Sequence, residues 1–338
     1  MEIITLGTSA AIPTKTRRLA STALRLDNGH QIIFDIGEDF QRAFREAKLK
    51  VNKPTIILIS HFHGDHVLGL PGYLATIAFT ARSAPLILIG PQGLFEYINL
   101  HLKLMRLGLN GPTTIIEYHY LSESEVTLES YETEGYNAET QQTVFETYAS
   151  NDSDGFLYRV KDYSIKGFPV RHTLPAVAFR FQESPRSGHF YPAKARALGI
   201  PPGPLYGKLK DGQIITWKGE EIDPREKNLV GPTRKGRSVI YTGDTSFFSQ
   251  LIEFARDCDV LIAEATYQME DHELAKEYGH MTNKDAATLA KESGARLLIL
   301  THFSSRYPGI ENFKKEVTDI FSNIILGEDI KTIPFPSD

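Results

Sequence analysis

The chain has little cysteine and no long apolar run, and both absences narrow its class. Cys258 is the single cysteine among 338 residues, so no disulfide can form within the chain, which suits a reducing cytoplasm. No segment approaches the roughly 18 consecutive apolar residues that a membrane-spanning helix requires. The N-terminus has neither the basic start nor the apolar stretch of a secretory signal. We therefore expect a cytoplasmic protein with no membrane partner.

Acidic residues slightly outnumber basic ones, and the two kinds of charge are unevenly distributed along the chain. The chain has 37 Lys+Arg against 42 Asp+Glu, a net charge of −5, and this balance alone argues against a nucleic-acid partner. Residues 117–158 contain ten acidic residues and no Lys or Arg, whereas residues 184–240 contain eleven Lys or Arg against five Asp or Glu. The acidic segment has two open interpretations, as edge strands or as a partly mobile insertion.

Strand and helix patterns alternate along the chain. Short apolar segments rich in β-branched residues predict strands, and apolar residues at helical spacing predict helices. Strands are predicted at 3–6, 22–26, 31–35, 55–60, 85–90, 168–172, 177–181, 238–242, 260–264 and 297–302, and helices at 40–48, 70–82, 94–107, 246–256 and 282–293. This order predicts two sheets packed together with helices outside.

The most informative motif is His61-Phe62-His63-Gly64-Asp65-His66, which places four potential metal ligands in six residues. It follows a predicted buried strand. Imidazole and carboxylate ligands suit Zn²⁺, Mn²⁺ or Fe²⁺, and the lack of thiolates argues against a closed structural zinc site. We expect His61 and His63 to face one ion, and Asp65 and His66 to face a second. The alternative interpretation is a polar surface loop that happens to be rich in histidine.

Further polar residues lie at the ends of predicted strands, namely His172, Asp244, Glu264 and His302. Each alone is commonly an ordinary hydrogen-bonded residue at the rim of a sheet. Together with the histidine motif they supply what a two-metal site needs, since two ions about 3.5–4 Å apart stabilise both oxygens of an in-line phosphoryl displacement. The predicted sets are His61, His63 and His172 for one ion, Asp65, His66 and His302 for the other, and Asp244 as the bridge.

Motifs along nearly the whole chain resemble those of the ribonuclease Z family, the tRNA 3′-processing endonucleases of the metallo-β-lactamase superfamily. The His61–His66 motif by itself specifies only the superfamily. His280-Met281-Thr282 and Ser304-Ser305-Arg306-Tyr307 narrow the resemblance to the ribonuclease. Other matching segments are Leu6-Gly7-Thr8-Ser9-Ala10, Asp35-Ile36-Gly37-Glu38, Gly69-Leu70-Pro71-Gly72 and Tyr241-Thr242-Gly243-Asp244-Thr245.

The resemblance implies an α/β fold, the αββα metallo-β-lactamase sandwich with a protruding basic arm. Residues 1–338 would be a single domain, with residues 184–237 inserted as the tRNA-binding arm. The acidic segment 117–158 makes the interval from Asp65 to His172 longer than in the family pattern. It is interpreted as a tolerated insertion of unknown role, with a dimer edge or an electrostatic screen as alternatives. The resemblance further implies two divalent metal ions per subunit, with zinc favoured, a homodimer, and precursor tRNA as the substrate.

The resemblance also implies roles for individual residues in removing the 3′ trailer and leaving a tRNA 3′-hydroxyl. Asp65 would orient or deprotonate the attacking water, and His280, held by Glu264, would protonate the departing oxygen. A His–Glu pair keeps a proton donor available near neutral pH. Arg306 would bind the scissile phosphate, although a surface ion pair is an alternative. The arm residues expected to contact RNA are Lys194, Arg196, Lys208 and Lys210; a solvated loop is the alternative for this segment.

Two other functions compete with the endonuclease. A small-molecule hydrolase of the same superfamily would act on phosphodiesters, thioesters or sulfate esters, but His280, Arg306 and the basic segment disfavour it. A non-catalytic metal-binding or RNA-binding protein is disfavoured by the complete set of ligands. Activity on precursor tRNA, compared with activity on small esters, separates these possibilities.

Overall fold

The structure is a computed structural model that describes residues 1–137 and 142–336. Residues 138–141 of the predicted acidic segment and the terminal residues 337–338 lie outside this description. The chain divides into two compact units. The first comprises residues 1–159, 165–181 and 238–338, and the second comprises residues 160–164 and 182–237.

Strands occur along the whole chain, many of them at short runs rich in Ile and Val, which favour extended backbone. In chain order, the described strands are β1 (Glu2–Gly7), β2 (Ser9–Ala10), β3 (Ser21–Arg25), β4 (Gln31–Phe34), β5 (Thr55–Leu58), β6 (Leu86–Pro91), β7 (Thr113–Tyr120), β8 (Val126–Asn137), β9 (Gln142–Asp152), β10 (Phe156–Arg159), β11 (Tyr163–Val170), β12 (Ala176–Glu183), β13 (Ile215–Trp217), β14 (Glu220–Ile222), β15 (Ser238–Tyr241), β16 (Val260–Glu264), β17 (Leu297–Thr301), β18 (Phe303–Ser304), β19 (Ile324–Leu326) and β20 (Lys331–Pro334).

Two large mixed sheets account for sixteen of these described strands. One sheet has the order β20-β1-β3-β4-β5-β6-β7-β8-β9, and the other has the order β10-β11-β12-β15-β16-β17-β19. The central strands β4 to β7 are parallel to one another, and so are β15, β16, β17 and β19. Parallel strands end at the same edge of a sheet, so the loops that follow them are brought together there.

Ten α-helices lie in the described part of the chain. In chain order they are α1 (Phe40–Glu46), α2 (Gly64–Val67), α3 (Gly69–Ala78), α4 (Leu94–Met105), α5 (Pro192–Ala197), α6 (Pro204–Lys210), α7 (Ser249–Ala255), α8 (His272–Tyr278), α9 (Asn283–Ser293) and α10 (Glu311–Lys315). Apolar residues of α1, α3 and α4 pack in one core with the first sheet, and those of α7 and α9 pack in another with the second sheet.

Aromatic side chains join the two sheets face to face. The ring of Phe34 on β4 lies 5.0 Å from that of Tyr241 on β15 and 6.3 Å from that of Phe179 on β12, measured between centroids. The result is a helix–sheet–sheet–helix sandwich, as predicted. Burial on both faces explains why the central strands are almost continuously apolar.

The described part of the acidic segment forms strands. β8 pairs with β7 and with β9 in a long antiparallel hairpin, and β9 is the edge of the first sheet. Phe95 on α4 stacks on Tyr131 of β8 at a centroid distance of 3.8 Å. Of the two interpretations left open by the sequence, edge strands are the one that the described residues adopt.

The second unit has structure that the sequence pattern did not predict. It contains α5, α6 and the hairpin of β13 and β14. Both helices begin with proline, which suits a first helical turn, but at six and seven residues they are too short to show a helical period. Widely spaced apolar residues form a small core of the unit, namely Ala195, Ile200, Leu209, Ile215, Ile222 and Leu229.

Candidate active site

The predicted site residues lie where strands of the two sheets end. The His61–His66 segment follows β5 and enters α2 at Gly64. In the second sheet, His172 follows β11, Asp244 follows β15 and His302 follows β17. Because β15, β16 and β17 are parallel, Asp244, Glu264 and His302 reach the same edge.

A close backbone approach holds the histidine loop against the loop after β4. Gly69 begins α3, and a Cβ on it would lie 2.1 Å from the carbonyl oxygen of Gly37. Only glycine allows this contact, and it brings His66 beside Asp35. The backbone of Asp35 and that of His302 have φ values of +55° and +60°, which is strained for non-glycine residues. Such strain is concentrated at functional sites.

The first cluster of potential ligands contains three histidines and a carboxylate. Nδ1 of His63 lies 3.0 Å from Nε2 of His61 and 3.0 Å from Nε2 of His172. Oδ2 of Asp244 lies 3.8 Å from Nε2 of His61 and 3.9 Å from Nε2 of His172. Ring nitrogens that converge in this way lie close enough together to bind one ion.

The second cluster shares Asp244 with the first. Nε2 of His302 lies 3.2 Å from Nε2 of His66 and 3.2 Å from Oδ2 of Asp65. Asp244 contacts both histidines, with Oδ2 3.2 Å from Nε2 of His66 and Oδ1 3.4 Å from Nε2 of His302. The structure therefore brings all seven predicted ligands together in two clusters that meet at one carboxylate.

Hydrogen bonds on the outer side orient the rings of four of the histidines. Nδ1 of His172 donates to the carbonyl oxygen of Gly279 at 2.9 Å, and Nδ1 of His66 lies 2.7 Å from Oδ2 of Asp35. In the same way, Nδ1 of His61 lies 2.9 Å from Oγ of Ser60, and Nδ1 of His302 lies 2.9 Å from Oγ1 of Thr266. Protons held at Nδ1 leave the Nε2 lone pairs directed at the cluster, as in metal-ligating histidines.

In the first cluster, the charge states of the three histidines also favour ligation. Burial lowers the pKa of His61, of His63 and of His172, so these rings are neutral, which is the form that binds metal. Burial opposes ionisation of Asp244, but the charges of His302 and His66 outweigh it and hold its pKa well below the ordinary value. A divalent ion fits this set, because the donors are imidazole nitrogens and carboxylate oxygens without thiolate. The lone Cys258 is buried in the core beneath the second sheet.

His280 and Glu264 form a buried pair beside the clusters. Nδ1 of His280 lies 2.9 Å from Oε1 of Glu264, and Glu264 also accepts hydrogen bonds from the backbone of Thr245, at 2.8 Å, and from the hydroxyl of Thr266, at 2.6 Å. Burial by itself lowers the pKa of His280, but the charge and hydrogen bond of Glu264 outweigh burial and raise that pKa to about 9. His280 therefore carries a proton at neutral pH, as a proton donor must.

Arg306 forms an ion pair on the accessible side of the site. Its Nη1 lies 3.1 Å from Oδ1 of Asp271, and the side chain is 46 % exposed. The guanidinium carbon lies 5.7 Å from the centroid of Tyr267, whose ring is 6.1 Å from that of His280. The surface ion pair that was the alternative for Arg306 is thus present, and it holds the arginine beside Tyr267.

The predicted arm residues all lie in the second unit. Lys194 and Arg196 are on α5, Lys208 and Lys210 are on α6, and all four are exposed. Nζ of Lys194 donates to the carbonyl oxygen of Asn228 at 3.1 Å.

Sequence reasoning missed three residues that hold predicted site residues in place. Asp35, Thr266 and Asp271 contact predicted site residues but were assigned no role. A carboxylate directly after a buried strand was a usable signal for Asp35. No local sequence pattern marks Thr266 or Asp271. The partner of Thr266, His302, is distant in the chain, and the partner of Asp271, Arg306, was identified only by resemblance.

Comparison with known proteins agrees with this architecture. The family model described as a β-lactamase superfamily domain matches residues 218–303, and the model described as anti-Pycsar protein Apyc1 matches residues 1–172. The fold resembles the metallo-β-lactamase fold protein YhfI from Bacillus subtilis, with a TM-score of 0.59 and 15% identity over 98% of each chain. It also resembles the short form of human tRNase Z, with a TM-score of 0.64 and 24% identity over 100% of each chain. The sandwich and its edge site define a metallo-β-lactamase-fold protein.

Curated relatives match the chain from end to end. Ribonuclease Z of Rippkaea orientalis is 35% identical over 343 residues, covering 99% of this chain and 98% of that protein. Ribonuclease Z of Bacillus subtilis is 34% identical, covering 99% of each chain, and that of Methanosarcina acetivorans is 33% identical, covering 99% of this chain and 98% of that protein. The chain belongs to the ribonuclease Z family.

Proposed function

We propose that this protein is a metal-dependent endoribonuclease that removes 3′ trailers from precursor tRNA and leaves a 3′-hydroxyl on the tRNA. The observation that carries the proposal is the pair of ligand clusters sharing Asp244, next to the His280–Glu264 pair, in a ribonuclease Z family member. Two ions per subunit, with zinc favoured, are proposed for the clusters. When bound, divalent ions stabilise negative charge on the oxygens of a reacting phosphodiester.

In the proposed reaction, water attacks phosphorus while the bond from phosphorus to the tRNA 3′-oxygen breaks. Asp65 accepts a proton from the attacking water. Oδ2 of Asp65 is held by the backbone N–H of Ala11 at 2.7 Å, which aims the carboxylate. His280 donates its proton to the departing 3′-oxygen, and Glu264 keeps the ring oriented and charged throughout. Arg306 binds the scissile phosphate by exchanging its bond to Asp271 for bonds to the phosphate oxygens.

We propose that residues 184–237 are an arm inserted into a single catalytic domain, 1–338, and that it binds the body of the tRNA. The exposed cations of α5 and α6 support this role, since neutralising phosphates releases counterions and dominates affinity for nucleic acids. Lys194 also lies over the ring of Tyr191, with Nζ 4.7 Å from the centroid. The acidic segment 117–158 is proposed to be an insertion that extends the first sheet, and its role is unassigned.

A homodimer in the cytoplasm is the proposed working form. Apolar side chains are exposed directly after α3, where Phe79 is 83% exposed, and on α4, where Leu104 is 72% exposed. Leu100 and Leu104 share one face of α4, because residues four apart are neighbours on a helix. A second copy of the chain would cover this surface. Leu104→Glu should convert the dimer into a monomer in analytical ultracentrifugation.

Within residues 1–137 and 142–336, every helix is too short or too polar to span a membrane.

One experiment tests the enzymatic proposal. A 3′-extended precursor tRNA is incubated with the protein, with and without chelator, and the products are mapped at nucleotide resolution. We expect a single cut after the tRNA body, a 3′-hydroxyl on the tRNA, and loss of cleavage with chelator. Turnover of a small ester without cleavage of precursor tRNA would instead support the small-molecule hydrolase.

A further inference from the structure

Tyr267 lies between two residues that are proposed to act on the scissile phosphodiester, and the mechanism above gives it no role. The ring of Tyr267 is tilted against the ring of His280, with 6.1 Å between the two centroids. The guanidinium carbon of Arg306 lies over the same ring, 5.7 Å from its centroid. One half-buried aromatic side chain is therefore the neighbour of both the proposed proton donor and the proposed phosphate-binding arginine.

The backbone at Tyr267 is hydrogen-bonded to the two chain segments that carry these residues. On one side, the carbonyl oxygen of Tyr267 accepts from the backbone N–H of Asn283 at 2.9 Å, and its N–H donates to the carbonyl oxygen of Met281 at 3.4 Å. On the other side, the carbonyl oxygen of Thr266 accepts from the backbone N–H of Ser304 at 3.2 Å. The position of the ring is thus fixed relative to both segments.

Arg306 has two kinds of contact, and a phosphate would compete with only one of them. Nη1 of Arg306 is paired with Oδ1 of Asp271 at 3.1 Å, and phosphate oxygens would replace this carboxylate. The contact with the ring of Tyr267 uses the positive charge of the guanidinium and none of its N–H donors. A side chain that stays beside the ring also loses less conformational freedom when the phosphate binds.

We propose that Tyr267 is a positioning residue that acts through Arg306. Its ring keeps the guanidinium in place while Arg306 exchanges Asp271 for the scissile phosphate. Because the ring is also fixed relative to His280, the bound phosphate is aligned with the proton donor. Such alignment matters, since a displacement of about 1 Å can lower a rate by about 100-fold. The inference rests on the proposed cleavage of RNA.

A comparison of Tyr267→Leu with Tyr267→Phe on a 3′-extended precursor tRNA tests this role. Leucine removes the ring, so kcat/KM should fall by about 5–30-fold, as expected for a cation–π contact that becomes desolvated when the substrate binds. The loss should be in kcat rather than in KM, because misalignment affects the transition state. Phenylalanine keeps the ring, and kcat/KM should stay within about twofold. An equally large loss in Tyr267→Phe would assign the role to the hydroxyl and overturn the proposal.

A double-mutant cycle tests whether Tyr267 acts through Arg306. In an Arg306→Ala background, Tyr267→Leu should change kcat/KM by less than about twofold, because the arginine that the ring positions is absent. Losses that multiply in the double variant would contradict the proposal. If Arg306→Ala has no measurable activity, Arg306→Gln provides the background, since its carboxamide still donates to a phosphate but carries no charge.

Controls separate positioning from a structural role and from the proposed function. Tyr148→Leu, which removes an exposed tyrosine on β9, should leave kcat/KM unchanged. The Tm and metal content of Tyr267→Leu should match those of the unmodified chain, and loss of metal would instead indicate a structural role. If this variant does not fold, Tyr267→Gln replaces it. Normal cleavage by Tyr267→Leu would refute the positioning role alone, whereas failure of the unmodified chain to cut any precursor would refute both proposals.

Discussion

Oδ2 of Asp35 lies 2.7 Å from Nδ1 of His66, on the side of the ring away from the clusters. The carboxylate is fully buried and also accepts hydrogen bonds from the backbone and hydroxyl of Ser60, at 2.7 and 2.8 Å, and from the hydroxyl of Tyr241, at 2.7 Å. Asp35 thus joins the histidine loop of the first sheet to a strand of the second. The position of His66 is set by this carboxylate.

We expect Asp35→Asn to weaken metal binding while the seven proposed ligands remain intact. A carboxamide places an NH₂ group against a hydrogen-bond donor, so His66 loses its fixed tautomer and orientation. Metal affinity should fall by about 10–100-fold, the usual effect of removing such a partner. Competition with a chromogenic chelator measures it, with the exposed Asp319→Asn as control. Unchanged affinity in Asp35→Asn would show that His66 is held by other contacts.

Asp244→Ala should remove both ions, because Asp244 is the one carboxylate common to the two described ligand clusters. The expected result is less than one ion per subunit after dialysis and nearly complete loss of hydrolysis. His119→Ala is the matched control, since His119 is exposed on β7. Retention of two tightly bound ions in Asp244→Ala would refute the bridging role.

His280→Ala should slow the chemical step without releasing metal. Losing a positioned proton donor lowers kcat by about 10²–10⁴-fold. The loss should be much smaller for a substrate with a nitrophenolate leaving group, because that group departs without a proton. Steady-state kinetics on both substrates, together with metal analysis, checks the prediction. An equal loss on the two substrates would assign His280 another role.

Neutralising Lys194, Arg196, Lys208 and Lys210 to Gln should weaken binding of precursor tRNA and flatten its dependence on salt. Each lost phosphate contact removes a share of counterion release, so the slope of log affinity against log salt becomes shallower. Filter binding across a range of salt concentrations measures the slope. Turnover of a small phosphodiester should stay within a few-fold. A parallel loss of both activities would mean that the segment belongs to the catalytic core.

Glu183→Gln should loosen the second unit in a pH-dependent way. Glu183 and Arg237 lie near the two ends of segment 182–237 and are joined by a hydrogen bond of 2.7 Å from Nε of Arg237 to Oε2. Burial raises the pKa of Glu183, but hydrogen bonds from Arg237 and Arg186 outweigh it and lower that pKa below its ordinary value. The ionised group therefore stabilises the unit above the pKa of the unfolded chain, about 4.3, and this stabilisation is lost as the pH falls through the folded pKa.

At pH 7 the loss should be about 1–3 kcal/mol, typical of hydrogen bonds to a charged group. Hydrogen exchange in residues 192–229 reports the local stability. The difference between the variant and the unmodified chain should disappear at acidic pH. Glu253→Gln, which breaks an exposed pair with Arg256 on α7, should leave this exchange unchanged. A difference that is independent of pH would contradict the electrostatic explanation.

The sequence alone determined the sandwich, the family and the identities of the proposed ligands. Central strands buried on both faces must be continuously apolar, so polar residues at their ends, such as Asp244 and His302, stand out. Parallel strands end at one edge, and residues far apart in sequence therefore become neighbours. Local pattern and chain order are sufficient to predict the sandwich and the candidate ligands, and resemblance of the motifs identifies the family.

Only the tertiary structure decided how those residues are held. Asp35, Thr266 and Asp271 hold site residues through contacts that depend on sheet register and side-chain direction. Sheet register and side-chain direction produce no periodic pattern in the sequence. The same reason applies to the second unit, whose six- and seven-residue helices are stabilised by a core of widely spaced residues rather than by an amphipathic period.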